Sequence, residues 1–105
     1  MKAVFSPEAE RDLLDIFDFI LKDRPMIAQD ILDRIQEHIE RLCDHPSLGR
    51  PGRVPRTREL VIPDLPFVIP YQVTGETLEI LRIYHTSREW PNSFKTVRFI
   101  EENRV

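Results

Sequence analysis

Residues 67–84, Phe67-Val68-Ile69-Pro70-Tyr71-Gln72-Val73-Thr74-Gly75-Glu76-Thr77-Leu78-Glu79-Ile80-Leu81-Arg82-Ile83-Tyr84, decide the fold class. Two runs rich in β-branched and aromatic residues flank Thr74-Gly75-Glu76, the pattern of a β-hairpin closed by a tight turn. In the second run, residues 77–84, alternation puts Leu78, Ile80 and Tyr84 on one side and Leu81 and Ile83 on the other. A strand that is apolar on both faces is expected inside its sheet, not at an edge. Pro70 conflicts with a regular ladder because it has no N–H to donate. The strand that carries Pro70 is therefore expected to be bulged there, or to leave that N–H side unpaired.

Moving outward from the hairpin, residues 57–62 form another apolar, β-branched segment, set off by the prolines of residues 63–66. Residues 44–56 contain Pro46, Gly49, Pro51, Gly52 and Pro55 and read as a loop. Upstream lie two amphipathic helices. Ser6 can cap the first with its hydroxyl, and Pro7 suits the first helical position, where a missing N–H costs nothing. Ala9, Leu13, Ile16, Phe17 and Ile20 then recur at helical spacing, and the helix is expected to end near Asp23. Pro25 opens the second helix, whose stripe is Ala28, Ile31, Ile35, Ile39 and Leu42, with Ile27 and Leu32 at its margins. His45-Pro46 closes it, because the residue before proline avoids helical geometry. The short link predicts an antiparallel helical hairpin. Residues 2–5 read as a first strand.

The expectation is thus a single α+β domain of order β-α-α-β-β-β, with an N-terminal helical hairpin packed on one face of a small, mostly antiparallel sheet. Residues 1–91 make up this domain. Residues 92–105 form a C-terminal extension, in which Phe94, Val97 and Ile100 fit a weak helical stripe. Thr86-Ser87-Arg88-Glu89 resembles a capping box, although Pro91 limits any helix it could start.

Composition narrows the function classes. A chain of 105 residues predicts one domain. No apolar run approaches the roughly 18 residues of a membrane span, and no signal-peptide apolar region follows Met1. The one cysteine, Cys43, excludes an internal disulfide and suits a reducing cytosol, so a cytoplasmic protein with no membrane partner is expected. His38, His45 and Cys43 lack zinc spacing and a fourth ligand, so neither metal nor cofactor is expected, and Cys43 reads as a small buried residue. Net charge is −3, but unevenly spread: residues 1–45 hold six basic and eleven acidic residues, and residues 46–105 hold nine and seven. Arg50, Arg53, Arg56 and Arg58 follow one another without an intervening acid.

Two groups of residues could carry chemistry. One is that arginine loop; the other is the end of the last strand, with Arg82, His85, Arg88 and Trp90. Arginine's planar fork fits phosphate and carboxylate, and histidine can move a proton near neutral pH. His85 with Arg58, Arg82 and Arg88 could make a metal-free phosphodiester site, in which histidine moves the proton of a ribose 2′-hydroxyl and arginines neutralise the developing charge. The structural alternatives are a strand-end His85 bonded to backbone, an Arg82 paired with a helix acid such as Asp15 or Asp18, and a Trp90 covering the core edge. Trp90 could also stack on a base or anchor a partner.

The ordered set of Ser6-Pro7-Glu8-Ala9, Gly49-Arg50-Pro51-Gly52-Arg53, Thr57-Arg58-Glu59-Leu60, Tyr71-Gln72-Val73 and Glu79-Ile80-Leu81-Arg82-Ile83 through His85 to Trp90-Pro91 resembles the RelE/ParE toxin family. The resemblance runs from about residue 2 to 91. It implies the α+β fold already read from the residues and a growth-inhibiting toxin of a bacterial type II toxin–antitoxin system. It implies silencing by a cognate antitoxin from the same operon, through which alone operator DNA would be contacted. Two activities are implied within the family. ParE-like members poison DNA gyrase by binding. RelE-like members cut mRNA on the ribosome, tending to use a lysine- and arginine-rich face with a C-terminal tyrosine or histidine. Only three lysines are present and Tyr84 lies inside the strand, while residues 85–91 look ParE-like. The expectation is gyrase inhibition, with Arg50, Arg53, Arg56, Arg58, Arg88 and Trp90 as target- or antitoxin-binding residues. The alternative is a ribosome-dependent mRNA endonuclease built on His85, Arg82, Arg58 and Arg88.

Overall fold

The computed structural model describes residues 1–86. The chain runs β1 (Lys2–Phe5), α1 (Pro7–Asp23), α2 (Pro25–Asp44), β2 (Arg50–Pro51), β3 (Arg58–Val61), β4 (Phe67–Thr74), β5 (Thr77–Ile80) and β6 (Tyr84–His85). The sheet order is β1-β5-β4-β3-β2, with β6 pairing to β4. Among the described residues only the β1–β5 pair is parallel. The long connection that parallel pairing requires runs through the helical hairpin and then β2, β3 and β4, and the hairpin covers one face of the sheet.

Local chemistry sets the helix ends. The Ser6 hydroxyl accepts from the Ala9 N–H at 3.0 Å and donates to the Leu81 carbonyl at 2.8 Å, so the cap of α1 is also a tie to the sheet. Pro7 and Pro25 occupy first helical positions. From α2, Ala28, Ile35, Ile39 and Leu42 are buried, as the stripe predicts; in α1 only Ala9 is. The core joins Ala9, Ile35, Ile39 and Leu42 to Phe67, Ile69 and Tyr71 of β4 and to Leu78 and Ile80 of β5. Burying one such large side chain is worth about 1.5–3 kcal/mol, so the sheet–hairpin contact dominates the folding free energy.

β4 and β5 meet through the two-residue loop Gly75-Glu76, since Thr74 pairs with Thr77. Gly75 has φ +60°, as a two-residue hairpin turn demands, and a side chain there would be strained. β5 lies between β1 and β4, the internal position expected, but Thr77–Ile80 is apolar on one face only, with Thr77 and Glu79 on the other.

Three expectations need correction. Residues 77–84 are not one strand. Tyr71 pairs with Ile80, but Val68 pairs with Tyr84, so three residues (81–83) oppose two (69 and 70). This is a β-bulge, and it lies opposite Pro70, where no N–H can be given to the ladder. The extra residue shifts the phase of the alternation. Ile83 joins Leu78 and Ile80 in the core, and His85 rather than Tyr84 shares the helix-covered face with Phe67. Second, residues 44–56 are not wholly loop, because β2 pairs Arg50 with Glu59 and Pro51 with Arg58. An opposite-charge cross-strand pair favours this short ladder. Third, Cys43 is partly exposed, not buried. The tail, residues 92–105, and the capping-box motif beyond Thr86 lie outside the described residues.

Candidate functional site

The bulge places the first group. Its irregular backbone leaves the Ile83 N–H without a strand partner, and the Asp12 carboxylate of α1 accepts it at 2.9 Å. The same carboxylate takes two bonds from Arg82, Nε at 2.7 Å and Nη2 at 3.0 Å. Both side chains are largely buried, 24% exposed for Arg82 and 15% for Asp12. The hydrogen bond to Asp12 raises the Arg82 pKa against the opposing effect of burial. The Arg82 guanidinium also sits 4.9 Å from the centre of the Tyr84 ring. An ion pair for Arg82 is therefore present, but with Asp12 instead of Asp15 or Asp18. The Ser6 ties to Ile80 and Leu81 hold the first turns of α1 level with the bulge, so the acid that reaches it comes early in the helix.

The arginine loop is built around a second carboxylate. Glu59 is 4% exposed and accepts from Arg50 Nε at 3.3 Å and Nη2 at 3.1 Å. Its other oxygen takes the Arg53 backbone N–H at 3.0 Å. Alternation along β3 puts Glu59 on the sheet face away from the helices, so residues 50–57 are folded over that face. The loop is closed by Gly52 N–H to Thr57 O at 2.8 Å and by the Thr57 hydroxyl to Val54 O at 2.6 Å. At its end Arg56 has φ +66°, a left-handed backbone that costs a non-glycine residue about 1–2 kcal/mol. Such strain persists only where surrounding contacts hold it.

Arg58 points to the other face. Its guanidinium bonds the Gly49 carbonyl at 2.7 Å and the Ser47 carbonyl at 3.5 Å. Beside it the buried Tyr71 hydroxyl donates to Pro46 O at 2.7 Å and accepts from the Gly49 N–H at 2.9 Å. Burial raises the Tyr71 pKa, partly countered by the Gly49 N–H and by Arg58. Gly49 is required here, since an added Cβ would lie 2.7 Å from the Tyr71 ring. Arg58 and Tyr71 together pin the exit of α2 to the sheet.

His85 stands edge-on to Phe67 at the start of β4, ring centres 5.5 Å apart, whereas Arg58 pairs with Tyr71 in the middle of that strand from its other side. Four residues along the strand and two strand spacings across put their Cα atoms on the order of 16 Å apart. The structure does not bring His85, Arg82 and Arg58 into one cluster. Arg88 and Trp90 lie outside the described residues. Two recesses flank these groups. A cleft of about 290 Å³ is lined by Pro51, Arg56, Arg58 and Gln72 among others. A larger groove of about 370 Å³ lies between the helical hairpin and the β4–β6 end, walled by Ile16, Phe19, Ile20, Phe67, Ile83 and His85.

Residues 3–90 match the family described as the ParE toxin of the type II toxin–antitoxin system, parDE. The chain belongs to the ParE toxin family. It is a toxin of a type II, ParDE-like toxin–antitoxin system, and membership implies a cognate antitoxin. It is 41% identical over 83 residues to a Sinorhizobium fredii (strain NBRC 101917 / NGR234) protein named "Putative toxin Y4kP", covering 79% of this chain and 85% of that one. It is 31% identical over 87 residues to "Toxin RelE2" of Caulobacter vibrioides (strain ATCC 19089 / CIP 103742 / CB 15), covering 83% of this chain and 97% of the relative. A solved structure of the chromosomal ParDE system from P. aeruginosa superposes with a TM-score of 0.75 at 30% identity, over 83% of this chain and 97% of that one. These matches agree with the observed two helices followed by a mixed sheet.

Sequence reading missed Glu59, which organises the arginine loop, and Asp12, which fixes Arg82. A signal for Glu59 was present: a lone carboxylate at the head of the apolar run Leu60-Val61-Ile62, directly after four arginines. Nothing comparable marks Asp12 among the other acids of α1.

Proposed function

We propose that this ParE-family toxin arrests growth in the cytoplasm by binding DNA gyrase and trapping it with cleaved DNA, and that a cognate antitoxin from the same operon neutralises it. One observation carries this reading. The arginines a metal-free nuclease would need are engaged in holding the fold, Arg82 by Asp12 and Arg58 by the Gly49 carbonyl, and His85 stands far from Arg58. Arg53 and Arg56 instead lie exposed on a loop that Glu59 shapes, a geometry suited to contacting a partner rather than to moving protons. In this reading Arg50, Arg53 and Arg56 belong to the contact surface. Arg88 is proposed to extend it.

The test is a purified-component assay with gyrase, supercoiled plasmid and ATP, followed by denaturation and measurement of linear DNA. Linear plasmid is expected to accumulate and to fall several-fold when Arg53 and Arg56 are both replaced by alanine. No linear DNA at several-fold molar excess of toxin would overturn the reading in favour of mRNA cleavage on the ribosome. His85→Ala would then be expected to lower cleavage by about 10²–10⁴-fold, the usual contribution of an acid–base group.

A further inference from the structure

The groove between the helical hairpin and the β4–β6 end does not fit the proposed gyrase contact, which lies on the arginine loop. Its walls are mainly apolar, with Ile16, Phe19 and Ile20 from α1, Ile31 from α2, and Phe67 and Ile83 from the sheet, and Asp12, Asp15 and His85 add polar groups to the lining. Phe19 is 75% exposed on its rim, and Leu14 and Leu21 of the same helix are exposed as well. Among the described residues of α1 only Ala9 is fully buried, so the distal half of the helix presents apolar surface that the described core leaves uncovered.

The chain itself leads into this groove. His85 pairs with Phe67, and the Thr86 N–H donates to the Pro66 carbonyl at 2.8 Å; Pro66, Phe67 and His85 all line the groove. The last described residue thus stands at its mouth. Nineteen residues follow, 87–105, and they carry Trp90, Phe94, Val97, Phe99 and Ile100. Positions 90, 94 and 97 fall on one side of a helical turn pattern, which is the spacing that seats an apolar edge in a groove. The family match ends at residue 90, and the Caulobacter relative is spanned over 97% of its length by 87 residues of this chain. The apolar residues beyond position 90 are therefore an addition outside the family match.

We infer that residues 87–105 of this chain dock in cis into the groove formed by Ile16, Phe19, Ile20, Phe67 and Ile83. Residues 87–105 cover the apolar surface of α1, and any partner using the same groove has to displace them. The inference does not depend on the toxin's target.

Trp90 is the one tryptophan in the chain, so its fluorescence reports on this segment alone. The experiment records emission and acrylamide quenching of the full-length protein, together with Phe19→Asp and Phe94→Asp. Phe19 is exposed and Phe94 lies beyond the described core, so both variants are expected to keep the far-UV circular dichroism of the parent. The expected result is a blue-shifted, weakly quenched Trp90 in the parent, independent of protein concentration. Both variants should give red-shifted emission and several-fold stronger quenching. A solvent-like Trp90 in the parent would overturn the proposal. So would a shielded Trp90 that neither substitution releases, since the cover would then lie elsewhere. Shielding that disappears on dilution, with a fall from dimer to monomer mass, would overturn it in favour of a second copy as occupant.

Discussion

Asp12 and Glu59 each accept two bonds from one arginine side chain and one from a backbone N–H, yet they stand in different settings. Asp12 and Arg82 come from opposite ends of the domain, seventy positions apart, and both are largely buried. Glu59 and Arg50 are nine positions apart; Glu59 is buried but the Arg50 side chain is 54% exposed. Both carboxylates serve irregular backbone, the first the bulge that Pro70 imposes and the second the loop that ends in a left-handed Arg56. The difference is what each would release if lost. Without Asp12 the bulge at Arg82 and Ile83 loses its bonds to α1, and a largely buried arginine is stranded. Without Glu59 a surface loop loosens, and Arg50 turns to water.

The sharpest way to break the comparison is Asp12→Ala. It leaves a buried guanidinium and a buried N–H unpaired, so a loss of about 3–5 kcal/mol is expected. That is a large part of the roughly 5–15 kcal/mol that holds a domain together. Urea denaturation measures it, and the variant should unfold as one cooperative unit, earlier than the parent. A loss below about 1.5 kcal/mol would show that the carboxylate only decorates the contact.

How far these roles could be read in advance differs between the two regions. The Ser6-Pro7 cap, both helical stripes and the Gly75 turn were legible because each is decided by neighbours within a few positions. Pro70 signalled an irregularity, but in its own strand; the extra residue lies instead in the facing segment 81–83. Where the extra residue would fall was not legible, because a bulge belongs to two strands and to their register. The assignment of Tyr84 and Ile83 to faces failed for that reason, and so did the choice of Asp15 or Asp18 for Arg82. The arginine loop was legible as a run of charge, but its organiser was not, since Glu59 is recognised only once β2 lies beside β3. The candidate site was thus visible as residue types and not as an arrangement. His85 and Arg58 are 27 positions apart along the chain, and only the pairing of both strands to β4 shows that they flank it on opposite sides, four residues out of register.

Glu59→Ala sharpens the contrast at intermediate size. Arg50 regains water freely, so the main loss is the acceptor for the Arg53 N–H, and about 1–3 kcal/mol is expected. More telling is where the loss appears. Amide hydrogen exchange of Gly52 and Arg53 should accelerate strongly, while Ile69 and Leu78 in the core keep most of their protection. Equal acceleration across the sheet would mean that Glu59, like Asp12, holds the whole fold.

Tyr71→Phe tests a third anchor, the one that ties the α2 exit to β4 without any carboxylate, and its effect at neutral pH should be the smallest, about 1–2 kcal/mol. The substitution removes the donor to Pro46 O and the acceptor of the Gly49 N–H while keeping the buried ring. Its distinctive sign is in alkaline solution. Burial raises the Tyr71 pKa in the folded state above the ordinary value near 10, so the folded state holds this proton more tightly than the unfolded one. The resulting stability is complete below the unfolded pKa and is lost as pH rises through the folded one. Between those values the folded protein binds more protons than the unfolded, and stability must fall with increasing pH. The parent should therefore lose stability above about pH 10 more steeply than the phenylalanine variant, which has no proton to lose at this position. Guanidinium denaturation from pH 8 upward, parent against variant, reads the difference directly; parallel curves would mean that the Gly49 N–H and Arg58 stabilise the phenolate enough to cancel the burial.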